Sequence, residues 1–344
     1  MPTFHVGFPA PTAQSMQMSA RPALAKFCED LGFDTMWHSN ERFFREMFIC
    51  MSVSAMSTER MVIGGAVADP YSVHPVITAQ SLATMDELTG GRTTIAMAAG
   101  GSGFPMVGIK REKPALAIKE AVQVMRRLLA GEAVTFDGQT LKTNQAKLHI
   151  LPKRPVPIWV ASRGDKVLET AGEVADGAFI ATYANPQGVN YALSLVEKGA
   201  KRAGRNLSDL RLLSRVDTCV HADPKQAFDG VRYMVARFLW ISYPDRGFVR
   251  QAGLEVPAEL EAVIAKRDLD LMHQVAAMVP DEFVQAFCWA GTPEQVAGQM
   301  IEIGRRCGVQ EFGIWVLCAP GQSRDEALQL LSAEVLPRVR TALK

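Results

Sequence analysis

The chain has 344 residues, 48% of them hydrophobic, with 37 basic and 36 acidic side chains and a net charge of +1. So even a balance, without a long run of one sign, argues against a nucleic-acid partner or an anionic membrane surface. No apolar segment approaches spanning length and no charged-then-apolar leader opens the chain, which predicts a soluble, cytoplasmic protein. Six scattered cysteines lack a Cys-x-x-Cys pair and six histidines lack ligand spacing, so no disulfide and no metal is expected.

In chain order, Phe4 to Phe8 reads as a first strand, 21–31 as a helix closed by Gly32, and Asp34 to Trp37 as a second strand leading into Asn40 and Glu41. A helix over about 45–57 returns the chain to Met61-Val62-Ile63-Gly64-Gly65-Ala66-Val67-Ala68, a third strand that Asp69-Pro70-Tyr71 ends. A helical stretch over 75–88 stops at Gly90-Gly91, and Thr93 to Ala99 makes a fourth strand before Gly100-Gly101-Ser102-Gly103. Strand, helix, strand is a βαβ unit and implies a parallel sheet buried on both faces. An amphipathic helix over 113–129 follows. Residues 133–150 break the alternation: Val134-Thr135-Phe136, a tight Asp137-Gly138 turn and Gln139-Thr140-Leu141 predict a hairpin. Strands at Pro157–Ala161, 177–182, 210–219 and 312–316 complete the series, each followed by helical patterning. Asp223-Pro224, Thr292-Pro293-Glu294-Gln295 and Ser323-Arg324-Asp325-Glu326 are helix starts. Residues 242–289 read as an irregular helical insertion. Eight strands alternating with helices predict a single (β/α)8 TIM barrel over 1–344, with insertions near 133–150 and 242–289; a doubly wound open sheet is the alternative.

The blocks Asp69-Pro70-Tyr71-Ser72-Val73-His74-Pro75 and Asp86-Glu87-Leu88-Thr89-Gly90-Gly91-Arg92 resemble the signature of the bacterial luciferase-like superfamily. The branch they are most similar to is that of methylene-tetrahydromethanopterin reductase and its deazaflavin-dependent relatives. The resemblance implies a luciferase-like barrel, a homodimer, and a coenzyme that is either deazaflavin F-420 or FMN. It also implies a non-proline cis peptide at Ala66–Val67, in a bulge whose backbone, through Ala68, supports the coenzyme ring.

Ligands in parallel sheets bind beyond the carboxyl ends of the strands, which draws attention to two turns. Gly100, Gly101 and Ser102 follow the fourth strand, where side-chain-free backbone can converge on an anion. Ala161, Ser162, Arg163 and Gly164 lie between the fifth strand and its helix, whose N-terminus favours negative charge. The two turns are expected to grip one coenzyme phosphate. Asn40 and Glu41 stand where deazaflavin reductases usually carry aspartate and histidine. Asn40 is able to hydrogen-bond the ring system, and Glu41 either moves a proton or pairs with Arg42 or Arg45. Phe104-Pro105-Met106, Trp240, Tyr243 and Phe248 are candidate walls of a substrate cavity, and His74 reads as a structural residue at a helix start. The expected function is hydride transfer between F-420 and a small-molecule substrate. The alternatives are an FMN-dependent monooxygenase using reduced flavin and oxygen, and a catalytically inactive barrel that binds.

Overall fold

The computed structural model of the protein describes residues 1–9, 16–100 and 103–344. Its strands are β1 (Thr3–Gly7), β2 (Thr35–Ser39), β3 (Val62–Ala68), β4 (Thr93–Met97), β5 (Val134–Asp137), β6 (Lys142–Ala146), β7 (Ile158–Ser162), β8 (Gly177–Ala181), β9 (Arg211–Val220), β10 (Cys288–Gly291) and β11 (Glu311–Val316). The main sheet runs β10-β9-β11-β1-β2-β3-β4-β7-β8, and a further β8–β9 pairing closes eight strands into a parallel barrel. The fold is a (β/α)8 barrel, and the open-sheet alternative does not hold.

Packing divides the chain into two compact units: Met1–Phe4 with Ile180–Leu193 and Leu213–Lys344, and His5–Phe179 with Ser194–Leu212. In the first, Phe312 packs against Phe4 and Trp289 at 6.0 Å each, and Phe248 against Phe287 at 5.1 Å. The expected helix starts are present there. Asp223 accepts from the Lys225 N–H, and Thr292–Gln295 and Ser323–Glu326 form reciprocal capping boxes. In the second unit Trp37 stands edge-on to Trp159 and Phe179, at 6.2 and 5.2 Å. Both indole N–H groups are satisfied, Trp37 by His5 Nδ1 at 3.1 Å and Trp159 by Thr94 Oγ1 at 3.0 Å. Buried indoles need such partners, and these two fix the ring orientations of the core.

Two expectations are corrected. The hairpin exists, but its turn is longer than Asp137-Gly138: β6 begins at Lys142, and the Gly138 N–H donates to the Leu141 carbonyl at 3.0 Å. A carboxylate explains the shift. Glu120, buried on helix Pro114–Leu129, accepts from the N–H groups of Gln139, Thr140 and Leu141 and from Thr140 Oγ1, at 2.6–3.0 Å. The chain wraps around this side chain, and a Cβ at Gly138 would stand 2.6 Å from it. Second, the stretch 242–289 does not end as helix. Its helices Gly247–Gln251, Ala258–Ala265, Met272–Met278 and Asp281–Phe287 lead into β10, parallel to β9 with Cys288 opposite Asp217. At four residues, Cys288-Trp289-Ala290-Gly291 is too short to show a period of its own.

Candidate active site

The site grows out of the register of β2, β3, β4 and β7. Ser39 lies opposite Ala66, Ala68 opposite Met97, and Met97 opposite Val160. The carboxyl ends of these strands are therefore level, and the residues after each emerge on one rim of the second unit.

On β3 the pairing to β4 slips between Ala66 and Ala68, so Val67 is an extra residue in the strand. The Ala66–Val67 peptide is cis, at the bond expected. Asn40 fastens this bulge from the neighbouring strand end. Its main-chain N–H donates to the Ala66 carbonyl at 3.2 Å and its side-chain Nδ2 to the Val67 carbonyl at 3.1 Å. An aspartate here would bring only acceptors to that carbonyl, so the asparagine has a chemical reason. The structure thus joins Asn40, Ala66 and Val67 in one cluster, with Ala68 buried beside them. Glu41 follows, half-buried, at the head of a turn in which its carbonyl accepts from the Phe44 N–H at 3.3 Å.

Asp69 is the buried hub of the next turn. It accepts from the N–H groups of Tyr71 and Ser72 at 3.0 and 2.7 Å, from Ser72 Oγ at 2.6 Å, and from Arg42 Nη2 at 2.6 Å. The Arg42 guanidinium lies 3.6 Å from the centre of the Phe104 ring. Phe104 is itself buried, with Tyr71 edge-on to it at 5.7 Å, and Tyr71 Oη donates to the Glu112 carbonyl at 2.7 Å. Gly100 completes the cluster: its φ is +72°, and a Cβ there would stand 2.2 Å from the Phe104 ring. Arg42 and Asp69 thereby tie together the turns after β2, β3 and β4. Sequence reading offers Arg42 only as a partner for Glu41 and Asp69 only as the end of a strand, although an aspartate two and three residues ahead of Tyr71 and Ser72 is the spacing of a side-chain-closed turn.

Ala161 and Ser162 end β7, Arg163 is half-buried, and Gly164 is the N-cap of helix Asp165–Val174. The Gly164 N–H is already taken by Ser162 Oγ at 2.9 Å, and Asp165 puts a carboxylate in the first helical turn. Gly101 and Ser102 lie outside the described residues. His74 is a helix cap, with Nδ1 accepting from the Val76 N–H at 3.2 Å. Of the candidate walls, Trp240 and Phe248 are buried in the first unit, where Arg267 lies 4.5 Å from the Trp240 ring. Met106 is 80% exposed. The six cysteines are free thiols, and burial lifts Cys219 to about 12 and Cys307 to about 11.

A closed parallel barrel with a bulge, a buried carboxylate hub and a positive-φ glycine on one rim defines a (β/α)8 enzyme. The chain belongs to the luciferase-like monooxygenase family, whose model matches residues 2–311. It is 30% identical to the 5,10-methylenetetrahydromethanopterin reductase of Archaeoglobus fulgidus, over 92% of this chain and 94% of that protein. It is 25% identical to the F-420-dependent glucose-6-phosphate dehydrogenase of Nakamurella multipartita, over 98% and 97%. Among solved structures, the coenzyme F-420 dependent tetrahydromethanopterin reductase of Methanopyrus kandleri superposes with a TM-score of 0.85 at 25% identity, covering 98% of this chain and 99% of that one. The chain is an oxidoreductase of the luciferase-like superfamily. No helix among the described residues is long and apolar enough to cross a membrane.

Proposed function

We propose that the chain transfers a hydride between the deazaflavin coenzyme F-420 and a small organic substrate. The observation that carries this reading is the bulge at Ala66–Val67 held by Asn40, a backbone shelf at the carboxyl end of the barrel wall. The residues present fit a flat ring with a phosphate tail. The shelf offers main-chain groups and small side chains; Gly100 keeps the adjoining strand end free of a side chain; Arg163 and the N-terminus of helix Asp165–Val174 favour negative charge. When bound, the coenzyme supplies a carbon centre that gives or takes a hydride. Asn40 fixes the shelf, the Arg42–Asp69 pair fixes the surrounding turns, and Glu41 moves a proton at the substrate. The relatives support F-420 over FMN, and the Archaeoglobus fulgidus reductase at 30% identity makes a pterin-bound one-carbon unit the first substrate class to try. The same reading makes the protein a cytoplasmic homodimer, which light scattering at micromolar concentration checks.

Visible spectra of the purified protein during anaerobic titration with F-420, and separately with FMN, test the proposal. The expected result is F-420 binding, with loss or return of its oxidised band on adding substrate. Oxygen-dependent turnover with FMN would replace it by the monooxygenase reading, and coenzyme binding without turnover of any substrate class by the binding-protein reading.

A further inference from the structure

The turn after β2 contains a residue whose type folding alone does not explain. Phe43 has a φ of +68°, in the left-handed region where a Cβ crowds the neighbouring carbonyl. The other side chains in that conformation among the described residues, those of Lys113, Gln145, Thr182 and Arg267, are polar. Asparagine or glycine would suit both this φ and the solvent better. Burial does not compensate, because Phe43 is 66% exposed, whereas Phe104 on the turn after β4 is 4% exposed.

The ring is nevertheless held in place. Its Cε2 edge lies against Gly103, where an added Cβ would stand 3.2 Å from that atom and 3.3 Å from Arg42 Cδ. Arg42, the preceding residue, is fastened to Asp69 and to the Phe104 ring. On the other side, the Phe44 N–H donates to the Glu41 carbonyl and closes the turn. An aromatic face is thus presented to solvent from a turn anchored at both ends. Asn40 touches the bulge at Ala66–Val67, and Phe43 follows further along the same turn, with Glu41 between them.

We propose that Phe43 is a specificity-determining residue that stacks on a flat aromatic ring of the substrate, beside Glu41 and outside the coenzyme shelf. The inference rests on the hydride-transfer reading of the site. A ring laid on Phe43 removes from water the apolar face that the free chain leaves exposed, and adds the attraction of offset π systems. A small aliphatic alcohol offers no such face. The position therefore favours a fused heteroaromatic substrate, of which a pterin is one, over a small aliphatic one.

Calorimetric titration of F-420-saturated protein with folinate, a stable reduced pterin carrying a one-carbon unit, tests this. F-420 titration, light scattering and urea unfolding of each variant accompany it. Phe43→Asn removes the ring and keeps a residue that tolerates the left-handed φ. Its urea midpoint should equal or exceed that of the wild type, with F-420 affinity unchanged and folinate affinity lower by about tenfold or more. Phe43→Leu, with bulk and no π face, should lose folinate in the same way, and Phe43→Trp should keep it. Equal folinate affinity in the wild type and F43N, or no folinate heat from a wild type that binds F-420, would overturn the proposal. So would an F43N protein that loses F-420 affinity in step, or that changes its mass in solution, since the ring would then serve the coenzyme or a subunit contact. Failure of the wild type to bind F-420 would overturn the coenzyme reading and this inference with it.

Discussion

Arg42 and Asp69, 27 residues apart, meet at 2.6 Å with the Asp69 carboxylate buried and the Arg42 guanidinium stacked on Phe104. One side chain thus holds the turn after β3 by charge and the turn after β4 by its flat face. Lysine is able to replace the charge and not the stack. R42A leaves a buried carboxylate without its cation and should cost about 3 kcal/mol in urea unfolding. R42K should recover most of that stability while coenzyme affinity stays about tenfold weak. Full recovery of both in R42K would leave the stack without a role.

Asn40→Asp replaces the donor to the Val67 carbonyl with an acceptor, so two oxygens face each other where a hydrogen bond stood. A fall in coenzyme affinity of about tenfold or more is expected, with a smaller change in unfolding midpoint. Fluorescence titration and urea unfolding of the same preparation separate the two effects.

Gly100→Ala meets two obstacles, a left-handed φ and the Phe104 ring in the space of the new methyl. The variant should fold, because the strain is local to one turn, and should bind coenzyme at least tenfold more weakly. Phe104→Leu in the same chain should restore part of the loss by clearing the space.

Glu41→Gln keeps shape and removes the titrating group. If Glu41 moves the proton, kcat should fall about 100-fold with little change in coenzyme affinity. An unchanged kcat assigns Glu41 to the local structure of its turn.

Acid should loosen the protein through Glu29 and Glu120. Burial pushes both carboxyls up, but backbone N–H donors outweigh it: Met61, Arg60 and Glu59 for Glu29, and residues 139–141 with the Thr140 hydroxyl for Glu120. Both are held below the ordinary value, so their stabilisation is present above the unfolded carboxyl pKa of roughly 4.3 and is lost as pH falls through the lower folded value. Urea midpoints between pH 7 and pH 3 should therefore fall less steeply in E120Q than in the wild type. At pH 7 that variant should already be about 2 kcal/mol less stable.

Most of the barrel was legible because its strands are apolar runs punctuated by glycine and its helices open on readable caps such as Thr292 and Ser323. The bulge at Ala66–Val67 was placed by resemblance, since one slipped residue leaves no mark in the pattern. What stayed hidden depended on partners far away in the chain. Glu120 decides the turn that Asp137-Gly138 was expected to make, from some 20 residues upstream. Asp69 was in view as the end of a strand, and its bond to Arg42 exists only once β2 and β3 lie side by side.

The hairpin β5–β6 is moored by Glu120, a side chain of a barrel helix, while its strands pair only with each other. Such an excursion is a socket in the architecture. Residues beyond β6, away from the moored turn, can be lengthened, shortened or exchanged without touching a barrel strand. A foreign peptide spliced at His149–Ile150, in the exposed bend after β6, would leave both the hairpin and the barrel strands intact, which makes this bend the natural place for a tag, a tether or a recognition sequence.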